Sequence, residues 1–341
     1  MSSLFIDRRN VEMRLDGGAI VFCEEGVRTG TVPVAPVDRV FVRSGVTVTT
    51  DVLGRLGEEG IGLVVLHGRK DEPVLFMPPM HNDAERRVAQ HVLSLDEEFC
   101  RLAAFDIVRK KLHVSADLLD KLALERNLRD SLFSERKEAL WKDLERLDVK
   151  DTLDSIRGIE GHAATCHFGA LERILPPALN FHGRNRRPPR DPFNATISLS
   201  YTLLLSETIL ALHGAGLDPH VGFFHKLAFG RPSLACDLME PLRPLVDEFA
   251  IKTFEERILR PEDFSATEKG CFMGKAARAR YYPAYEAQAK PWRKTLEANA
   301  RDLASGIVAA FRRRHPGAAA FREPEATVQE ADCPLAGKEA A

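Results

Sequence analysis

Residues 216–247 read GLDPHVGFFHKLAFGRPSLACDLMEPLRPLVD, in which the second histidine, His225, is followed by the acids Asp237 and Glu240, three residues apart. Asp218 before Pro219 has the form of an N-cap with proline at the first helical position, so a short helix carrying His225 near its end is expected. Gly230 breaks the pattern, and Ser233 is placed to cap a second helix beginning at Leu234. On that helix Asp237 and Glu240 share a face, while Leu234, Leu238 and Leu242 supply apolar contacts beside it. Two carboxylates so spaced repel unless a cation lies between them. Pro241 has no N–H and crowds the carbonyl of residue 237, so a kink is expected beside the acids. Taken singly, each of the three residues also suits a solvated helix face or a core histidine. As a group they are embedded among Leu, Ala, Cys and Met, where carboxylates need neutralising.

A further acid lies upstream in RGIEGHAA (157–164). Its helix is expected from about Thr152 to Ile174, with Glu160, Ala164, His167, Phe168 and Leu171 on one side. An isolated acid sharing a face with small and apolar residues again asks for a positive partner. His162 projects from a different face, and no cysteine pair completes a tetrahedral zinc site.

GLDPHVGFFHK, GRPSLACDLMEPLRPLVD, RGIEG and DPFNATISLSYTLL together resemble the CRISPR-associated protein one family, over the chain up to about residue 290. The resemblance implies a metal-dependent DNA endonuclease and integrase. Such an enzyme inserts foreign-DNA spacers into a CRISPR array by 3′-hydroxyl attack on repeat phosphodiesters. Carried over, Glu160, His225 and Glu240 fall on the family's metal ligands, with Asp237 as the additional acid beside them. Mg²⁺ or Mn²⁺ is the implied ion, the imidazole tilting the set toward Mn²⁺. The implied partners are a second copy of the chain, CRISPR-associated protein two, and double-stranded and branched DNA. The chain has His167-Phe168 where the family commonly has Tyr-Phe. A stand-alone structure-specific repair nuclease using the same site, and a non-catalytic DNA-binding scaffold, are the other readings of these residues.

The implied fold class is α+β: a small N-terminal β-sandwich-like domain over 1–79, in dimer contact, a linker at 80–83, and a larger all-α catalytic domain over 84–315. The residues agree with this division. Short β-like runs occupy 4–6, 11–15, 19–23, 39–42, 62–66 and 74–77, with a hairpin turn at Asp16-Gly17-Gly18 and one helix ending at Gly60. Pro78-Pro79 ends the last strand, and Asn82 is placed to cap the first helix of the second domain. From Ala84 to about Val149 apolar residues recur at helical spacing, and the basic residues of IVRKKLH read as a solvated face. Phe193 to Leu212 is an apolar helix in which Asn194 reads as a buried hydrogen-bonder. The tail, 316–341, is rich in Ala, Pro and Glu and is expected to be disordered.

Net charge is −2, so any DNA surface must be local. FHGRNRRPPRDP (181–192), expected to be mobile, carries Arg184, Arg186, Arg187 and Arg190, and KAARARYY (275–282) adds Lys275 and Arg278; these are the candidate phosphate contacts. Six scattered cysteines without paired spacing fit a reducing cytoplasm rather than a disulfide framework. The start, MSSLFIDRRN, has no signal-peptide core, and no apolar run approaches the ~18 residues that span a bilayer.

Overall fold

Alternation along two strands governs how the β-rich and helical parts meet. The computed structural model describes residues 2–66, 73–186 and 188–317, so most of the expected disordered tail lies outside the described residues. Eight strands come first: β1 (Ser2–Ile6), β2 (Val11–Asp16), β3 (Ala19–Glu24), β4 (Val27–Pro33), β5 (Val37–Arg43), β6 (Val46–Val48), β7 (Gly62–Leu66) and β8 (Val74–Phe76). Helix α1 (Thr50–Glu58) lies between β6 and β7. The strands form two four-stranded sheets, ordered β1-β5-β7-β8 and β4-β3-β2-β6. The β2–β3 hairpin turns at Gly17 and Gly18, whose φ of 57° and 78° only glycine takes without strain. Two strands are not legible as alternating runs: β4 is an edge strand with mostly exposed residues and a glycine, and β6 has three residues.

In the first sheet β5 and β7 are covered on both faces. Val40, Val42 and Leu63 join Met13 and Ile20 of the second sheet in one hydrophobic cluster, while Phe41, Val64 and Leu66 face the helices. The period-2 geometry of strands makes this sheet a shared wall between two cores. Phe5 stacks on Phe41 at 4.8 Å and on Tyr282 at 4.6 Å, joining the wall to the C-terminal helix.

The helices are α2 (Ala84–Leu93), α3 (Glu97–Arg126), α4 (Ser131–Arg146), α5 (Leu153–Ile174), α6 (Pro192–Gly214), α7 (Ser233–Met239), α8 (Arg243–Glu255) and α9 (Lys275–Arg314). The fold class stands as read, with one addition to the helical part, the hairpin β9 (Phe264–Thr267) and β10 (Gly270–Met273). Helix α2 is capped by Asp83, which accepts from the Glu85 amide at 3.0 Å, rather than by Asn82. Among the described residues α6 is long and apolar enough to cross a membrane by length and composition, which the sequence reading did not anticipate. Two thirds of that stretch is buried inside the fold, against α7, α8 and α9 among others, as expected of a core helix apolar all round.

One buried ion network ties the wall to the helices. Arg39 of β5 pairs with Glu207 of α6 and with Glu297 of α9 at 3.0 Å, while Arg293 pairs with Glu286 at 2.6 Å. Arg39 and Glu207 are both nearly inaccessible, so losing one strands the other's charge. Arg39→Met is expected to lower stability by about 3–5 kcal/mol in urea unfolding, and Arg39→Met with Glu207→Leu to recover most of it. A single variant as stable as the parent would show that the network does not hold the two parts together.

Candidate active site

The stretch around His225 is shaped by one carboxylate. Asp237 of α7 accepts three successive backbone amides, Phe223 at 2.7 Å, Phe224 at 3.0 Å and His225 at 2.9 Å. Those donors need no helical partner, and residues 218–225 run as turns instead of the expected short helix. Asp218 closes a local turn by accepting from the His220 amide at 2.8 Å, which is why it does not cap a helix. The buried side chain of Gln90 fastens this segment from α2, donating to the carbonyls of Asp218 and Val221 and accepting from the Asp218 amide, each at 2.8 Å. A Cβ on Gly222 would lie 2.7 Å from the Asp237 carboxylate and 2.8 Å from the Ser233 backbone, so only glycine allows the approach.

Helix α7 starts at Ser233 without a side-chain cap, and Ser233 Oγ donates to the Lys226 carbonyl at 3.1 Å. The helix stops at Met239 and passes through a 3₁₀ turn, Glu240–Leu242, into α8, which is the kink expected of Pro241. The turn leaves Glu240 buried and packed against α3.

Asp237 also accepts from His225 Nδ1 at 2.6 Å, which fixes the ring and turns Nε2 toward Glu240 Oε1, 3.8 Å away. With both oxygens so engaged, Asp237 positions the histidine rather than reaching into the site. Lys111 of α3 lies between the two remaining acids, its ammonium paired with Glu160 of α5 and, at 2.7 Å, with Glu240. Arg243 pairs with Glu240 from the other side at 2.8 Å. Burial pushes the Glu240 carboxyl up, but Arg243 and Lys111 outweigh it and hold it at about 2. Burial likewise pulls the Lys111 ammonium down, and Glu240 and Glu160 more than restore it. Lys111 thus marks a point where a positive charge is stable between Glu160 and Glu240. Two carboxylates with an imidazole beside them are a donor set suited to Mg²⁺ or Mn²⁺. Arg157 of α5 completes the link, donating to the Phe224 carbonyl at 2.9 Å.

A cavity of about 50 Å³ opens on this cluster, lined by Glu160, Lys111 and Glu240 together with Arg184, Arg186 and Arg243. His225 does not line it and meets the cluster through Glu240, 3.8 Å away. His167, at the position where the resembling family commonly has tyrosine, does line it, its Nε2 3.0 Å from Asp247; a tyrosine hydroxyl comes instead from α6, where Tyr201 donates to Asp247 at 2.5 Å. Burial first, then Asp247, keeps Tyr201 protonated by raising its pKa well above the ordinary value. Arg243 lies over the Tyr201 ring at 4.8 Å and Arg184 at 5.7 Å.

The arginine loop, expected to be mobile, is hydrogen-bonded at both of its described ends. Asn194, fully buried, donates to the Gly183 carbonyl at 2.9 Å and to Asp191 at 2.6 Å, and accepts from Arg184 at 2.8 Å and the Asn185 amide at 3.1 Å. Hairpin strand β10 holds the other end, the Cys271 amide donating to the Pro189 carbonyl at 2.7 Å. Of the candidate phosphate contacts, Arg184 and Arg186 reach the cavity, the Arg190 side chain is exposed, and Arg187 lies outside the described residues. Arg278 is taken up by Asp7 at 2.7 Å, because α9 packs its first turns against the β-rich part; with Lys275 exposed at the helix start, neither lines the cavity.

A separate trio, Asp143, His162 and Cys166, has ligand-type atoms within 4.8 Å of one another on the α4–α5 seam. His162 already satisfies the buried Asp143 at 2.5 Å, and burial raises the Cys166 thiol pKa, so the trio is a hydrogen-bonded seam with a protonated thiol. Lys111, Tyr201, Arg243 and Asp247 are the site residues that motif reading passes over. Lys111 carries a signal: it lies between Ile107 and Ser115 at four-residue spacing, on the edge of the buried stripe of α3.

The sequence model of the family described as CRISPR associated protein Cas1 matches residues 4–287. A CRISPR-associated endonuclease Cas1 of Thermodesulfovibrio yellowstonii is 36% identical over 313 residues, 89% of this chain and 97% of the relative. Among solved structures, a casposase bound to integration product superposes with a TM-score of 0.79 at 21% identity, over 91% of each chain. A chain of a Cas6-RT-Cas1–Cas2 complex gives 0.76 at 24% identity, over 90% of this chain and 35% of that one. Matched along most of its length by the family's model and by a relative aligned nearly end to end, the chain belongs to the Cas1 family.

Proposed function

We propose that this chain is a metal-dependent DNA endonuclease and integrase that inserts foreign-DNA spacers into a CRISPR array. The observation that carries the reading is the meeting of Glu160 and Glu240 at the ammonium of Lys111, with His225 Nε2 3.8 Å from Glu240 Oε1, beside a cavity lined in part by arginines. Glu160, His225 and Glu240 would hold Mg²⁺ or Mn²⁺. When bound, the ion supplies Lewis-acid stabilisation of the charge that develops on the scissile phosphate.

The chain's own residues account for the rest. Asp237 keeps the His225 ring in one orientation, so ligand geometry is prepared before substrate arrives. Burial holds the Arg184 guanidinium below its ordinary value, and Arg186 and Arg243 add to this, so a phosphate entering the cavity relieves crowded positive charge. Attack by water gives cleavage. Attack by a DNA 3′-hydroxyl forms one phosphorus–oxygen bond as another breaks, leaving a new 3′-hydroxyl, so strand transfer needs no added energy source.

The domain division extends the proposal: residues 1–79 for homodimer contact, 80–83 as linker and 84–315 for catalysis. The exposed apolar side chains of Val74, Phe76 and Met77, on and beside the edge strand β8, support a contact surface there. A Cas2 protein is the proposed assembly partner, in keeping with the Cas1–Cas2 complex that shares the fold.

The reading is tested by branched-DNA cleavage and strand transfer across a Mn²⁺ titration. Glu160→Gln and Glu240→Gln are expected to lose most activity at every Mn²⁺ concentration. Asp237→Asn is expected to lose ~10- to 100-fold, partly recovered by excess ion, and to add little to Glu240→Gln in the double variant. Full activity in Glu160→Gln, or strictly additive losses, would overturn the assignment.

The charge balance at Glu240 makes a second prediction, for the metal-free protein. Its folded pKa of about 2 lies below the ordinary value of 4.5, so its contribution to stability is present above 4.5 and is lost as pH falls toward 2. Urea unfolding with chelator present is expected to show Glu240→Gln less stable than the parent at neutral pH, with the gap closing across that acid window. A gap independent of pH would show that Lys111 and Arg243 do not hold Glu240 ionised.

A further inference from the structure

His167 lines the cavity from α5, about two helical turns beyond Glu160, and only 4% of its surface is accessible. Its Nε2 lies 3.0 Å from one oxygen of Asp247, and the other oxygen accepts from the Tyr201 hydroxyl at 2.5 Å. A carboxylate has no hydrogen to give, so the hydrogen between His167 and Asp247 belongs to the ring. In the neutral ring this leaves Nδ1 with a lone pair and no hydrogen. Among the described residues this buried Nδ1 has no hydrogen-bond partner. A buried acceptor left unmet opposes folding, so its presence in the wall of a cavity points to a donor that arrives from outside.

The other charged and titratable groups that line the cavity are committed. Lys111 of α3, Arg184 and Arg186 of the arginine loop, and Arg243 of α8 can only donate. Glu160 and Glu240 are taken up by Lys111, Glu240 also by Arg243, and Tyr201 keeps its proton. The charged groups that α4 brings to α5, Arg136 and Asp143, act on Cys166 and do not line the cavity. Nδ1 of His167 is therefore a base still free to take a proton there. Short contacts tie it to the acid cluster: Arg243 pairs with Glu240 at 2.8 Å and lies over the Tyr201 ring at 4.8 Å, and Tyr201 holds Asp247. The cavity, about 50 Å³, is room for a few waters, so a hydroxyl that enters it stands near the acids and the imidazole together.

We propose that His167 Nδ1 is the general base of the reaction, accepting the proton of the oxygen that attacks the phosphodiester. The O–H bond of water or of a DNA 3′-hydroxyl breaks, its proton goes to Nδ1, and its electron pair forms the new bond to phosphorus. The bond from phosphorus to the departing 3′-oxygen breaks with its pair on that oxygen, which takes a proton from solvent water. The imidazolium, held at Nε2 by Asp247, then returns its proton to the hydroxide so formed. The proposal rests on the chain acting on DNA phosphodiesters, and it adds the residue that takes the proton.

The test is single-turnover branched-DNA cleavage and strand transfer by the full-length chain from about pH 5 to 8, the range in which a histidine changes charge. Mn²⁺ is kept saturating at each pH, so that occupancy of the acid cluster does not enter. The parent's rate is expected to rise with pH and then level as Nδ1 loses its proton. His167→Gln keeps a donor toward Asp247 but has no basic nitrogen. It is expected to lose ~10²- to 10⁴-fold in rate on the plateau and to lose the rise itself, with affinity for the DNA as in the parent. His167→Ala is expected to recover part of its rate when imidazole is added. A His167→Gln rate that follows the parent's pH profile, whether at the parent's level or uniformly below it, would overturn the proposal and make His167 a support for Asp247. Where His167→Gln fails to fold, imidazole decides: no recovery in His167→Ala would overturn the proposal. If the parent shows no Mn²⁺-dependent cleavage or transfer, the nuclease reading fails and this proposal with it; if the parent is active and His167→Gln matches it, this proposal alone fails.

Discussion

Two carboxylates brought together from separate helices repel each other unless positive charge lies between them, and Lys111 supplies that charge to Glu160 and Glu240. The requirement fixes three elements at once: α3 must present the lysine, α5 the first acid, and the turn after α7 the second. Because Glu240 is buried, this is a site with a built-in need for a cation, whether an ammonium or a metal ion. The same need explains why Arg243 also pairs with Glu240 and remains charged in an environment that opposes charge.

Asp237 carries the second layer of order. By accepting three backbone amides and the His225 ring it replaces a helix with a rigid turn, and glycine at 222 lets the two chain segments approach closely enough for this. Gln90 and Arg157 hold that turn against α2 and α5, so the histidine is supported from helices on either side. The β-rich part contributes indirectly. Its wall strands β5 and β7 close one side of the helical core, and the Arg39–Glu207 pair locks α6, the helix that presents Tyr201, to that wall.

The residues that were legible in the sequence are those whose chemistry is costly in isolation. Glu160, Asp237 and Glu240 each sit among apolar residues, where a carboxylate demands a partner, and Pro241 announced the break that turns Glu240 inward. Illegible were features set by contacts distant in the chain. The helix expected around His225 gave way because Asp237, 12 residues on, captured its amides. Lys111, in a run of charges, looked solvated because nothing local shows that Glu160, 49 residues away, folds onto it. The arginine loop, rich in Gly and Pro, was expected to be mobile, yet Asn194 and β10 hold it at both ends. Strand β4 escaped notice because an exposed edge strand has no buried face to impose alternation.

The central proposal is that Glu160, His225 and Glu240 hold a divalent cation in exchange for the Lys111 ammonium that lies between the two carboxylates. The most direct measurement is anomalous diffraction from crystals of the full-length protein soaked in Mn²⁺. A peak bounded by Glu160, His225 and Glu240, with the Lys111 ammonium moved away from the two carboxylates, is the predicted result. A peak at Asp143, His162 and Cys166 with none between Glu160 and Glu240, or Lys111 unmoved at saturating Mn²⁺, would contradict it.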